Sequence, residues 1–251
     1  MRAEIEVPDL VDFRESVDAL GKNRNSTIIK TLYLTASRCN EFLTKISPSD
    51  VGRTEALGNL VTWDFKKIVV PNIQYKGKEK VEAITCKPRL GVQPKKDEVP
   101  ILLLKIPVLK RRKREKEPKK VKPQKFKNVA IPCVMDFEPW CANLLYWMRD
   151  HDGKLCFDLT RQSVFKIIKR ELGYHPHHLR CIRVSHLVDY YGFTGEQISL
   201  VAGWLMKKGY GVLGQKVSPM INIYLHSQWK EYIRKLLVPL DVIQKNVILA
   251  S

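Results

Sequence analysis

The chain is poor in acidic residues, has no CxxC pair, and carries no apolar run long enough to span a bilayer. Each absence removes a class of function. Against 44 Lys and Arg stand only 26 Asp and Glu, a net charge of +18. Such an excess points to a polyanion, most often nucleic acid, because neutralising phosphates releases condensed counterions; the alternative is a basic, well-solvated surface. Six cysteines (Cys39, Cys86, Cys133, Cys141, Cys156 and Cys181) without paired spacing argue against a zinc ribbon or a disulfide framework. With no signal-peptide pattern at the start, they read as reduced thiols of a cytoplasmic protein. The longest apolar stretch, PILLLKIPVL at 100–109, is interrupted by Lys105 and bounded by prolines. It falls short of the roughly 20 residues a membrane helix needs and reads as a buried strand, so no membrane partner is expected.

What remains is an ordinary globular composition, 44% hydrophobic and 28% charged, in 251 residues that can bury a real core. Apolar periodicity predicts helices over 7–21 and, capped at Asn25 or Ser26, through STIIKTLYLTASRCNEFLTKI. Strand-like segments follow at 60–65, 67–75, 99–109 and 126–132. Helical spacing returns at 137–151, 159–172 (ended by Gly173), from Pro176 or His177 onward, at 194–204 and at 219–237. The expected fold is therefore α+β, a mainly helical body with a small antiparallel sheet. One domain covers 1–251: N-terminal helices over 1–58, sheet and hairpin over 59–133, a helical part over 134–237 and a tail over 238–251.

Residues 110–127, KRRKREKEPKKVKPQKFK, hold 11 Lys and Arg against Glu115 and Glu117, an excess of +9 that is half the net charge of the chain. Lying between two predicted strands, this run forms the tip of a long β-hairpin. A basic tip of that kind reaches a DNA backbone, with Arg111, Arg112, Lys113, Arg114, Lys119 and Lys120 as the expected contacts.

Four of the six histidines fall in HPHHLRCIRVSHLVDYYGF, residues 175–193. A zinc site is disfavoured: His177, His178 and His186 lack the i, i+4 pattern, and no cysteine pair or acidic cluster lies near in sequence. On a helix, His177 and Arg180 at i, i+3 share a face in the first turn. There the free N–H groups, an imidazole and a planar guanidinium together suit a phosphate. Leu179, Ile182, Val184 and Leu187 serve the core, and His186 belongs to a buried polar network.

The stretch HHLRCIRVSHL (177–187) resembles the second signature box of the tyrosine recombinases, the phage integrase and Xer class, usually seen as H-x-L-R-H-x-x-A-x-H-L. TLYLTASRCNEFL (31–43) resembles the first box and places Arg38 as its arginine. Gly203-Trp204 stands where the family has Gly followed by His or Trp. INIYLH (221–226) resembles the closing box and singles out Tyr224, with Tyr190, Tyr191 and Tyr210 as competitors.

The resemblance implies a site-specific recombinase or integrase acting on double-stranded DNA, of the kind mobile elements carry. No cofactor, neither metal nor nucleotide, is implied. Tyr224 would attack a phosphodiester, leaving a 3′-phosphotyrosyl bond and a free 5′-hydroxyl. Arg38 and Arg180 would hold the non-bridging oxygens, His177 would hydrogen-bond the phosphate, and Trp204 would donate its indole N–H. A hairpin lysine would protonate the leaving 5′-oxygen: Lys110, with Lys113 and Lys105 as alternatives. A homo-oligomer, a tetramer on DNA joined through the apolar tail VPLDVIQKNVILAS, is implied as well, at the nucleoid.

The chain also departs from the family. Ser37 precedes Arg38 where a Gly-Leu lead is usual, Cys181 follows Arg180 where histidine is frequent, and the core-binding domain expected ahead of the first box is absent from 1–25. Two other readings stay open: a type IB topoisomerase-like nicking and closing enzyme, and a DNA-binding protein on a decayed recombinase fold.

Overall fold

The computed structural model describes residues 7–48, 60–69, 98–109, 126–203 and 232–243. These form an α+β fold of six α-helices and one four-stranded sheet. The chain runs α1 (Leu10–Asp18), α2 (Arg24–Leu34), β1 (Ile46–Pro48), β2 (Val61–Val69), β3 (Glu98–Pro107), β4 (Phe126–Pro132), α3 (Trp140–Asp150), α4 (Arg161–Leu172), α5 (Pro176–Asp189) and α6 (Gly195–Ala202). No helix among the described residues is long and apolar enough to cross a membrane.

The sheet order is β1-β2-β3-β4. It is mixed, not purely antiparallel as expected: β1 pairs parallel to β2, while β2–β3 and β3–β4 are antiparallel. The first strand also lies inside the segment read as helical only, and the two strands expected over 60–75 begin as one, Val61–Val69. The apolar run of β3 makes it an inner strand, with Val99, Ile101, Leu102, Leu104 and Ile106 fully buried. Its neighbour β4 meets it in a register that pairs Pro107 with Phe126, so the basic run joins adjacent antiparallel strands. The outer edge of β4 is covered by Tyr232, whose hydroxyl donates to the Asn128 carbonyl at 2.9 Å and accepts from the Ala130 amide at 3.2 Å. That pairing consumes ladder groups a bare edge would expose.

Helix α2 is the hub, packing on α1, α3, α4 and α5. It is buried from Ser26 to Leu34, so it is enclosed on every side rather than along one stripe, with Ser26, Thr27, Lys30 and Thr31 buried among its apolar residues. Its cap is Asn23, not Asn25 or Ser26: the Asn23 side chain accepts from the Ser26 amide, and Ser26 returns a hydroxyl to the Asn23 amide. Its end differs more consequentially. The helix stops at Leu34, and Ala36 takes φ +46°. Arg38 therefore stands outside the helix predicted to carry it, in extended backbone at the head of a 3-10 turn, Cys39–Glu41.

The interior is sewn by aromatic and polar groups together. Tyr33 stacks on Phe13 at 4.7 Å and meets Trp140 edge-on at 5.6 Å. Arg14, lying 4.0 Å over the Trp140 ring, makes a two-pronged ion pair with Glu138, 2.6 and 3.1 Å, both side chains buried. His186 spans two layers: Nδ1 is 2.8 Å from the Tyr33 hydroxyl and Nε2 is 2.8 Å from the Pro8 carbonyl oxygen. Of the tail, Ile243 is buried and the Leu240 amide donates to the Asp136 carbonyl at 2.9 Å, so its first residues pack on the chain's own body. The cysteines described are free thiols.

Candidate functional site

The C-terminal end of α2 is the centre of the site. Past Leu34 the chain exposes carbonyls that α2 itself cannot satisfy, and two buried cations reach them from opposite sides. Lys127, on β4, places Nζ 2.9 Å from the Thr35 oxygen and 3.2 Å from the Ala36 oxygen. Arg180, on α5, donates from Nη1 to the same Ala36 oxygen at 3.1 Å and from Nη2 to the Ala202 oxygen at 2.6 Å. Lys127 is wholly buried and Arg180 is 1% exposed.

One carboxylate serves this charge. Glu41 is buried; its Oε1 accepts from Arg38 Nη1 at 3.1 Å and its Oε2 from the Arg38 amide at 3.1 Å. Lys127 Nζ lies 3.5 Å from Oε2. Three cations thus lie around one anion. Burial pulls the Lys127 ammonium down to about 7; Glu41 opposes, while Arg180 and Arg38 push it further. Burial likewise lowers Arg180 to about 10, with Arg38 adding to the fall.

Arg38 is the member of this group that reaches the surface, and it opens on a cleft of about 680 Å³. The far wall is the start of α5 and α4: His177 and His175, with Arg161 and Phe165 beside them. The His175 ring stacks on Phe165 at 4.9 Å. Leu109, at the mouth, is the last residue described before Lys110. The lining thus holds two arginines and two histidines together with the carboxylate of Glu41, and the buried Lys127 and Arg180 lie next to that carboxylate and the Ala36 turn. Cations outnumber the anion there.

Of the residues singled out in the sequence, the structure brings Arg38, His177 and Arg180 to one place. Their arrangement differs from the expectation in one respect. His177 and Arg180 do not share a solvent-facing surface of α5: His177 is exposed in the cleft, and Arg180 turns inward to the two carbonyls. Gly203 joins them, its φ of +65° ending α6 against β4; a Cβ there would meet Val108 Cγ2 at 3.0 Å and Lys127 Cδ at 3.2 Å. Lys105 is elsewhere, its Nζ 4.9 Å over the Phe126 ring. Tyr190 and Tyr191 are committed to structure. Tyr190 donates to Asp9 at 2.7 Å, and burial carries Tyr191 to about 12 beside Arg183. Lys110, Arg111, Arg112, Lys113, Arg114, Lys119, Lys120, Trp204, Tyr210 and Tyr224 lie outside the described residues.

Sequence reading missed Glu41 and Lys127. The signal for Lys127 was available: in a strand, Lys127, Val129 and Ile131 fall on one face, and the two apolar members mark that face as inward. The density of neighbouring lysines hid it.

No protein-family model, no curated protein and no solved structure matches the chain.

Proposed function

We propose that the chain is a tyrosine recombinase that breaks and rejoins double-stranded DNA through a 3′-phosphotyrosyl intermediate. The observation that supports this reading is convergence. Arg38, His177, Arg180 and Gly203 belong to three sequence segments chosen for their resemblance to three recombinase boxes. Arg38 and His177 line one cleft, and Arg180 and Gly203 lie behind it, Arg180 being tied to the carbonyls of Ala36 and Ala202 and Gly203 lying against Lys127. Segments so far apart in sequence have no reason to converge by chance.

In this reading a phosphodiester enters the cleft and Arg38 binds a non-bridging oxygen. Arg180 supplies charge from behind and, on engagement, exchanges the Ala202 carbonyl for a phosphoryl oxygen. His177 lies beside the same phosphate. Tyr224 oxygen forms the new bond to phosphorus as the bond to the 5′-oxygen breaks; the tyrosine proton passes to the His177 imidazole, and the 5′-oxygen gains one from a lysine of the basic run, with Lys110 assigned. The pentacoordinate transition state carries more negative charge than the diester, so fixed cations favour it over the ground state. The basic run holds the flanking backbone, and homo-oligomers pair two such sites for exchange.

The test is covalent trapping on a nicked suicide duplex in EDTA, read as an SDS-stable protein–DNA adduct. Wild type forms the adduct; Tyr224→Phe and Arg38→Ala do not, while both still bind the duplex. Salt-dependent binding with no adduct on any duplex would leave a DNA-binding module and overturn the enzymatic reading.

A further inference from the structure

The function of the cleft depends on where Arg38 points, and the carboxylate that grips it, Glu41, is itself shared with a lysine from β4. Arg38 sits two residues beyond Ala36, whose φ of +46° an L residue rarely adopts; it is the sole non-glycine with positive φ among the described residues. Such a conformation persists only where the surroundings hold it. Its own amides close on α2, Ala36 to the Tyr33 carbonyl at 3.0 Å and Ser37 to the Leu32 carbonyl at 3.1 Å, and two side chains from far along the chain take the carbonyls left over: Lys127 those of Thr35 and Ala36, and Arg180 that of Ala36. Lys127 also touches Glu41, the carboxylate that grips both the amide and the guanidinium of Arg38.

We infer that Lys127 is a positioning residue of the site: its ammonium caps the end of α2, pins the Ala36 turn, and shares Glu41 with Arg38, so that Arg38 is held into the cleft. This rests on the reading of the cleft as a phosphodiester site. Lys127 is not the acid that protonates the leaving oxygen. Its ammonium is spent on two carbonyls and Glu41, and its role passes through Arg38.

A buried cation is retained against a large desolvation cost only when its partners need it. The lysine could be replaced by an apolar side chain of equal length if packing were its sole task. Its charge state also gives the role a pH signature. The charged groups acting on Lys127 are Glu41 and Arg38 from the 3-10 turn and Arg180 from α5, and with burial they set its titration at about 7. Below that pH the ammonium draws on Glu41 and the carbonyls; above it the neutral amine holds them weakly, and Glu41 turns wholly to Arg38.

The experiment compares wild type with Lys127→Met, which keeps the length and loses the charge, and with Lys127→Arg, which restores it. Hydrogen exchange over residues 35–41 reads the turn whether or not the protein cleaves DNA. Exchange there rises in Lys127→Met while the helices of the body stay protected, and falls back in Lys127→Arg. Single-turnover cleavage of the suicide duplex drops about 100-fold in Lys127→Met, the scale of a misplaced reacting group. Duplex affinity, carried by the basic run, stays within about twofold. The wild-type to Met rate ratio is largest below pH 7 and narrows above it, a comparison that cancels the titration of the nucleophile. Unchanged exchange over 35–41 in folded Lys127→Met overturns the inference. A rise in exchange with no cleavage even by wild type overturns the reading of the cleft and leaves the positioning role standing. If Lys127→Met does not fold, Lys127→Arg decides: normal exchange with a ratio to wild type that is flat across pH 7 overturns it.

Discussion

Arg180 Nη1 and the carbonyl oxygen of Ala36 lie 3.1 Å apart, a hydrogen bond that joins residues 144 positions distant. It ties the turn after α2 to the histidine helix α5, and the other terminal nitrogen of the guanidinium reaches the Ala202 carbonyl at the end of α6 at 2.6 Å. The site is therefore assembled by tertiary packing of α2, α5, α6 and β4. Changes at any of these contacts act on the others.

Gly203 is the most sensitive backbone position in that set. Replacing it with alanine puts a methyl 3.0 Å from Val108 and 3.2 Å from the Lys127 stem, at a φ of +65° that alanine disfavours. Overpacking together with left-handed strain costs about 2–4 kcal/mol. Urea unfolding of Gly203→Ala measures it; a loss below about 0.5 kcal/mol would mean the α6 terminus is free to shift away from β4.

His186 gives stability a pH dependence. Burial lowers its folded pKa to about 4, with the Pro8 carbonyl pulling the other way, whereas an unfolded histidine titrates near 6.5. The unfolded chain thus binds a proton that the folded chain refuses. The contribution of neutral His186 is complete above about pH 6.5 and declines as the pH falls towards 4, by up to about 3 kcal/mol. In His186→Gln the unfolding free energy between pH 6.5 and 5 flattens relative to wild type. Parallel curves would contradict the buried network with Tyr33 and Pro8.

Local pattern made much of this legible. The strand over Phe126–Pro132 and the helix beginning at Pro176 stand where alternation and proline placed them, because one is bounded by charge and the other by a fixed φ. Gly173 ends α4 in the left-handed conformation glycine allows. What was not legible was non-local. No glycine or proline near Leu34 announces that α2 stops there; Ala36 takes the left-handed turn that closes the Ser37 amide on Leu32, and the carbonyls it leaves are met by Lys127 and Arg180 from far along the chain. Lys127 itself was counted with a solvated charge run, since composition cannot distinguish a lysine that faces inward. The parallel pairing of Ile46–Pro48 with β2 carries no hydrophobic periodicity, because three residues are too few to show one.

The basic run makes a salt-dependence prediction. Each Lys or Arg contact to a DNA phosphate adds about 0.9 to the slope of log affinity against log salt. Changing Arg111, Arg112, Lys113, Arg114, Lys119 and Lys120 together to glutamine flattens that slope by about 3–5 while leaving the melting temperature nearly unchanged. Fluorescence anisotropy across a salt series measures it, and an unaltered slope would remove the basic run from the DNA interface.

The most direct test of the central claim is the chemistry of the attached residue. Wild-type protein trapped on a suicide duplex is digested with nuclease and protease, and the nucleotide-bearing peptide is sequenced by mass spectrometry. The account requires a 3′-phosphate ester on Tyr224. A nucleotide on any other side chain, or a DNA-bound wild type that yields no linked peptide, would contradict it.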